Sequence, residues 1–220
     1  MLARTIAAAL DGLDAVPVEV EAHTSGGLPA VTTVGLPDAA VKESRERVKS
    51  AIQNSGYRFP RGRATINLAP ADIRKEGPVF DLAIALALLG AADQARLSRA
   101  RDFMILGELA LDGRTRPVRG ALPAALAARD AGLKGILLPP DSAAQAAVVK
   151  GLEVYAPHSL EEAVGFLGGQ LRLERCEVDV EDIMRCAAES GPDLAEVRGQ
   201  VAAKRALTIA AAGGHNLLMM

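Results

Sequence analysis

The stretch RKEGPVFDLAIALALL, Arg74 to Leu89, constrains the rest of the chain most tightly. From Val79 onward every residue but Asp81 is apolar, and Leu, Ala and Ile dominate, so helix is favoured over strand. A helix apolar on all faces has to be enclosed by the domain around it. Gly77-Pro78 supplies a turn and a first helical position where the missing proline N–H costs nothing. Free N–H groups and the helix dipole point outward at that start, so a fold could put chemistry there. Asp81, buried in such a helix, needs a partner. The expectation is an internal ion pair with an arginine from the Arg58 to Arg74 region, or a helix-end hydrogen bond, in preference to a catalytic role.

The remaining composition of the 220-residue chain is that of an ordinary soluble protein with material for a real core: 50% hydrophobic, 24% charged, formal net charge −2. That charge argues neither for nor against nucleic acid; only a local patch could. Aromatics make up 3% and Trp is absent, which disfavours base-stacking platforms. No run has the length of a membrane span, and the short apolar run of MLARTIAAALDGLDA ends at Asp11-Gly12, so a signal peptide is the minority reading. Cys176 and Cys186 could pair, but free thiols fit a cytoplasmic protein better.

Along the chain, Ala3 to Leu10 fits strand or helix by propensity, and the alternating segment after it favours strand. Ala15 to Thr24 alternates Val16, Val18, Val20 and Ala22 against polar residues, the pattern of a half-buried strand, and Pro17 demotes it toward an edge. Pro29 to Leu36 reads as the next strand, giving an opening antiparallel meander. Asp38 caps a helix over Ala39 to Asn54, whose charged face reads as solvated, or as a subunit contact. Ala64 to Ala69 alternates as a strand. Phe103 to Val118 reads as two strands about the Asp112-Gly113 turn. The back half alternates helix (121–131, 140–149, 158–166) with strand (135–138, 152–156), as in a partly parallel α/β layer. Gly168-Gly169-Gln170 marks a boundary, followed by a charged, extended linker. Asp193 to Ala212 resumes helical character, and His215 to Met220 reads as a strand. Stopping there, the chain reads as a piece cut from a longer polypeptide.

Gly56 to Arg63, GYRFPRGR, is a basic loop. With Arg74 and Lys75 it puts Arg58, Arg61 and Arg63 close in sequence, a phosphate-contacting site on the functional reading and a solvated loop on the bland one. His23, His158 and His215 are scattered and lack partners at metal-ligand spacing.

Three long segments, Thr32 to Ile52, Ile66 to Leu86 and Leu106 to Ala124, together resemble the magnesium-chelatase-like AAA+ family typified by ComM and YifB. The resemblance covers essentially the whole chain. It implies an α/β (α+β) fold like the Lon protease proteolytic domain, with a mixed sheet and packed helices, over residues 1–169. A linker would cover 170–192 and the start of an AAA+ module 193–220. Asp193 to Gln200 is similar to the entry of that module, which implies an adenine pocket at Val197, Gly199 and Gln200. GGHNLLMM resembles the strand leading into the phosphate-binding loop GxxxxGK[ST], which would follow Met220; without it no nucleotide is expected on this stretch alone. ATP and Mg2+ are implied for the full-length parent.

Lon-type peptidases place a serine after the Gly-Pro and a lysine on the helix after the following hairpin, because the hydroxyl needs a nearby amine as base. Here those positions are Val79 and Leu122. Ser44 and Ser50 lie on the earlier helix with nothing to set either beside a lysine. The resemblance therefore implies the fold and argues against its peptidase activity. It further implies a ring, hexameric in the family, that works as a cytoplasmic motor on DNA in recombination and natural transformation, with the basic loop touching DNA. The alternatives are a chelatase-type motor for metal insertion, a scaffold that only assembles the ring, and an active peptidase.

Overall fold

A computed structural model of the protein describes residues 1–180 and 193–219, which fall into two compact units, Met1–Val178 and Asp179–Met220. The first unit is built on a mixed sheet. Strands β1 (Leu2–Asp11) and β2 (Asp14–Ser25) form an antiparallel hairpin. Strands β3 (Ala30–Val34) and β4 (Arg63–Ala69) follow, then β5 (Phe103–Ile105), β8 (Gly135–Leu137) and β9 (Glu153–Tyr155), in the order β3-β4-β2-β1-β5-β8-β9. β1, β5, β8 and β9 run parallel, and a small separate ribbon pairs β6 (Glu108–Leu109) with β7 (Thr115–Arg116).

Helices cover both faces. On one lie α1 (Ala39–Asn54), α2 (Asp81–Ala91, entered through a 3-10 turn at Pro78–Phe80) and α5 (Leu160–Leu167). On the other lie α3 (Ala121–Asp130) and α4 (Pro140–Ala147). Strand alternation divides the core accordingly: Ala7, Ala9, Phe103 and Ile105 face the first set, while Ala8, Met104 and Leu106 face the second. α2 is enclosed as its composition demands, with every residue but Gly90 buried. Arg99 sets its guanidinium 4.4 Å from the Phe166 ring centroid and 5.1 Å from that of Phe103.

Four expectations are corrected. The opening is not a meander, because β4 inserts between β2 and β3 and pairs parallel with β3. β2 is therefore interior. Pro17 is tolerated there because β4 pairs with β2 only from Glu19 onward, so the proline lacks a neighbour on that side. Phe103 to Val118 breaks at Leu106-Gly107, sending β5 into the main sheet and leaving β6 and β7 as a separate ribbon. His215–Met219 is not a strand: no sheet partner exists for it among the described residues. In the second unit, Leu194–Glu196 forms a 3-10 turn and α6 spans Val201–Gly213.

After Gly169 the chain stays on the first unit as far as Val178. The Cys176 amide donates to the Val154 carbonyl at 2.8 Å, and Arg175 Nη2 to the Leu152 carbonyl at 3.2 Å. Cys176 is a free thiol; Cys186 lies outside the described residues.

Candidate functional site

The start of α2 is organised from two sides. Gly77 has φ 79°, a left-handed turn that favours glycine, and its amide donates to Asp38 Oδ2 at 3.1 Å. Asp38 Oδ1 accepts from the Val41 amide at 2.7 Å, so one carboxylate caps α1 and also pins the Gly-Pro turn. From the other side, the Gly107 amide donates to the Val79 carbonyl at 2.9 Å and the Leu82 amide to the Gly107 carbonyl at 3.0 Å.

A cleft of about 520 Å³ opens at this junction. Val79, Pro78, Leu106, Ala8 and Val118 make its apolar wall, and Asp38, Glu76, Glu108 and Arg119 its charged rim. Among the described residues no serine, threonine, cysteine, lysine or histidine lines it. Leu122 stands outside the lining, on the first turn of α3, 41% exposed. Neither its side chain nor that of Val79 can donate, accept or attack.

Beneath the cleft Asp81 is fully buried, and its partner is Arg47 of α1, not an arginine from the Arg58 to Arg74 region. Arg47 Nε lies 2.9 Å from Oδ2 and Nη2 3.3 Å from Oδ1, and the Leu109 amide donates to Oδ2 at 3.3 Å. Three elements, α1, α2 and β6, thus meet on one carboxylate. Burial pushes the Asp81 carboxyl up to about 6 although the guanidinium opposes the shift; the hydrogen bond to Asp81 raises the Arg47 guanidinium in turn. Position 47 shares its helix stripe with Ser44, Val48 and Ala51, all buried, which is the signal in the sequence that sets it apart from the solvated face.

The basic loop separates into different environments. Arg58, Arg61, Arg63 and Arg74 are exposed, Arg74 beside Glu76 at 3.2 Å. Lys75 leaves the group: it is fully buried, and its ammonium donates to the Pro70 and Ile73 carbonyls, clamping the loop that precedes α2. Burial pulls that ammonium below the ordinary lysine range. The expectation that Lys75 contacts DNA is corrected on this ground, since a side chain spent on internal carbonyls presents no charge to a ligand.

In the second unit Val197, Gly199 and Gln200 lie in the short irregular segment between the 3-10 turn and α6. Gly199 has φ 70° and Gln200 φ 53°, the latter capping α6, and Lys204 Nζ donates to the Val197 carbonyl at 2.9 Å. A Cβ added at Gly199 would meet no atom. Among the described residues no group of His, Cys, Asp and Glu could hold a metal ion, and no helix is long and apolar enough to cross a membrane.

Residues 20–142 match the family described as subunit ChlI of Mg-chelatase, and residues 193–220 match that of magnesium chelatase, subunit ChlI. The chain is 42% identical over 210 residues to competence protein ComM of Haemophilus influenzae, covering 95% of this chain and 41% of ComM. It is 44% identical over 209 residues to YifB of Escherichia coli, covering 95% of this chain and 40% of YifB. A more distant match, 29% identical over 126 residues, covers 54% of this chain and 15% of Lon protease 1 of Myxococcus xanthus. The chain spans about two fifths of the length of ComM and YifB. With the mixed α/β sheet and the Gly-Pro turn feeding a buried helix, these matches place the chain in the ComM/YifB family of magnesium-chelatase-like proteins.

Proposed function

We propose that this chain is the non-proteolytic Lon-like part, joined to the start of the ATPase module, of a ring-forming AAA+ ATPase that acts on DNA. In this reading the longer polypeptide works as a cytoplasmic branch-migration or helicase motor in recombination and natural transformation. Residues 1–169 support assembly of a hexameric ring and contact DNA through Arg58, Arg61, Arg63 and Arg74; residues 170–192 link them to the module that opens at 193.

The observation that carries the reading is the cleft at the start of α2. An ordered Gly-Pro turn and a cavity stand there, and the resemblance to Lon-type peptidases would put Val79 and Leu122 where the hydroxyl and the amine belong. A cleft without a nucleophile leaves the domain a binding or assembly role. The identity to a relative named for competence supports DNA as the partner. ATP with Mg2+ would supply the free energy of phosphoryl transfer. Val197, Gly199 and Gln200 would hold only the base.

The test is ATP turnover by the full-length polypeptide with and without DNA. Stimulation by DNA, lost when Arg61 and Arg63 are replaced, is the expected result. A turnover indifferent to DNA contradicts the reading. The family description favours one other reading, a motor for inserting a metal cargo into a porphyrin; there turnover responds to the metal-insertion partner and not to DNA.

A further inference from the structure

A second cavity, also about 520 Å³, lies on the first unit away from the cleft. It is bounded by the start of β3, by α1 and by the basic loop. Arg45 and Lys49 reach it from α1 and Arg61 from the loop, against a single carboxylate, Glu46. Among the described residues Arg45 pairs only with its chain neighbour Glu46, at 2.9 Å on the open surface, an arrangement of little energetic worth. Among the described residues neither Lys49 nor Arg61 has a carboxylate at salt-bridge distance. Phe59, half-buried, forms part of the wall.

The loop is held in place. The Arg58 amide donates to Gln94 Oε1 at 2.7 Å, and Gln94 Nε2 donates back to the Arg58 carbonyl. At Gly62 an added Cβ would collide with the Ser25 carbonyl oxygen, so the loop backbone packs directly on the β2–β3 turn. A fixed cationic groove is the arrangement that tracks a phosphodiester backbone, and scarce as aromatics are in this chain, Phe59, packed against the core and half-buried, sets one ring in its wall.

We propose that this groove, formed by Arg45, Lys49, Arg61 and Phe59, binds single-stranded nucleic acid along its phosphate backbone. The proposal rests on the DNA reading above and adds to it a strand type and two α1 cations that the loop alone does not include. An acidic peptide adding to the open edge of β3 is the competing occupant. It fits less well, because the cavity reaches only Pro29, Ala30 and Val31 and Pro29 has no N–H to offer a ladder.

The experiment is fluorescence anisotropy of the whole 220-residue chain with a short labelled oligothymidylate and with a duplex of equal length, at low and physiological salt. Arg45→Gln with Lys49→Gln is expected to weaken single-strand binding about tenfold or more and to flatten the log–log salt slope by about 1.4, at ~0.7 per lost phosphate contact. Arg129→Gln with Lys134→Gln removes the same charge elsewhere and is expected to leave binding unchanged. Unchanged melting of each variant by circular dichroism establishes that folding is intact. Binding lost on Arg61→Gln with Arg63→Gln but not on the α1 pair overturns the groove and leaves the DNA reading standing. No binding of either nucleic acid by the wild-type chain overturns both. Tighter binding of the duplex overturns the single-strand assignment, and displacement by polyglutamate at equal charge assigns the groove to an acidic peptide instead.

Discussion

Asp81 and Arg47 show how far single residues carry the fold. The carboxyl titrates near 6 in the folded chain and about 3.9 unfolded, so the unfolded state ionises first as pH rises. Its contribution to stability is therefore greatest below about pH 4 and is lost by the time pH passes about 6, roughly 3 kcal/mol at most. Removing the guanidinium deepens this dependence. Arg47→Met is expected to cost about 3–5 kcal/mol at pH 8, where it strands a buried carboxylate, and clearly less at pH 5, as urea unfolding at the two values will show. The need for a partner was legible at residue 81, since a lone carboxylate in an apolar helix has to be paired. Its identity was not, because nearness in sequence pointed to the Arg58 to Arg74 cluster while α1 passes closer in space. Lys75 carries the same lesson: a lysine in a basic run looks solvated until the carbonyls of Pro70 and Ile73 turn toward it.

Among the elements, helices were the most readable, because caps and periodicity are local. Asp38 and the stripe through Val41, Val48 and Ile52 define α1 from Ala39 to Asn54, and composition alone buries α2. Strand neighbours were not readable, since pairing depends on contacts distant in sequence: nothing within β3 reveals that β4 will come between it and β2. Two changes test the helices by chemical denaturation. Asp38→Ala removes the cap of α1 and the acceptor for the Gly77 amide together, and is expected to cost about 1–3 kcal/mol. Leu86→Ala, at a fully buried position in the middle of α2, is expected to cost about 2–5 kcal/mol.

At the scale of the whole molecule, Met1–Val178 forms its own unit with its own core. A polypeptide ending at Val178 is expected to unfold cooperatively on urea titration, and one ending at Gly169 to be measurably less stable, because it loses the hydrogen bonds of Arg175 and Cys176 to the β9 region. The cleft itself was legible in part: the Gly-Pro turn and the aliphatic replacements stand in the sequence, whereas the double use of Asp38 and the clamp by Gly107 required the fold. On the function proposed above, the cleft at the start of α2 is a Lon-type peptidase site without its working pair. Hydrolysis of a fluorogenic protein substrate by the purified chain tests it most directly. No turnover above buffer is predicted, with or without a serine-directed reagent; turnover that such a reagent abolishes would contradict the account.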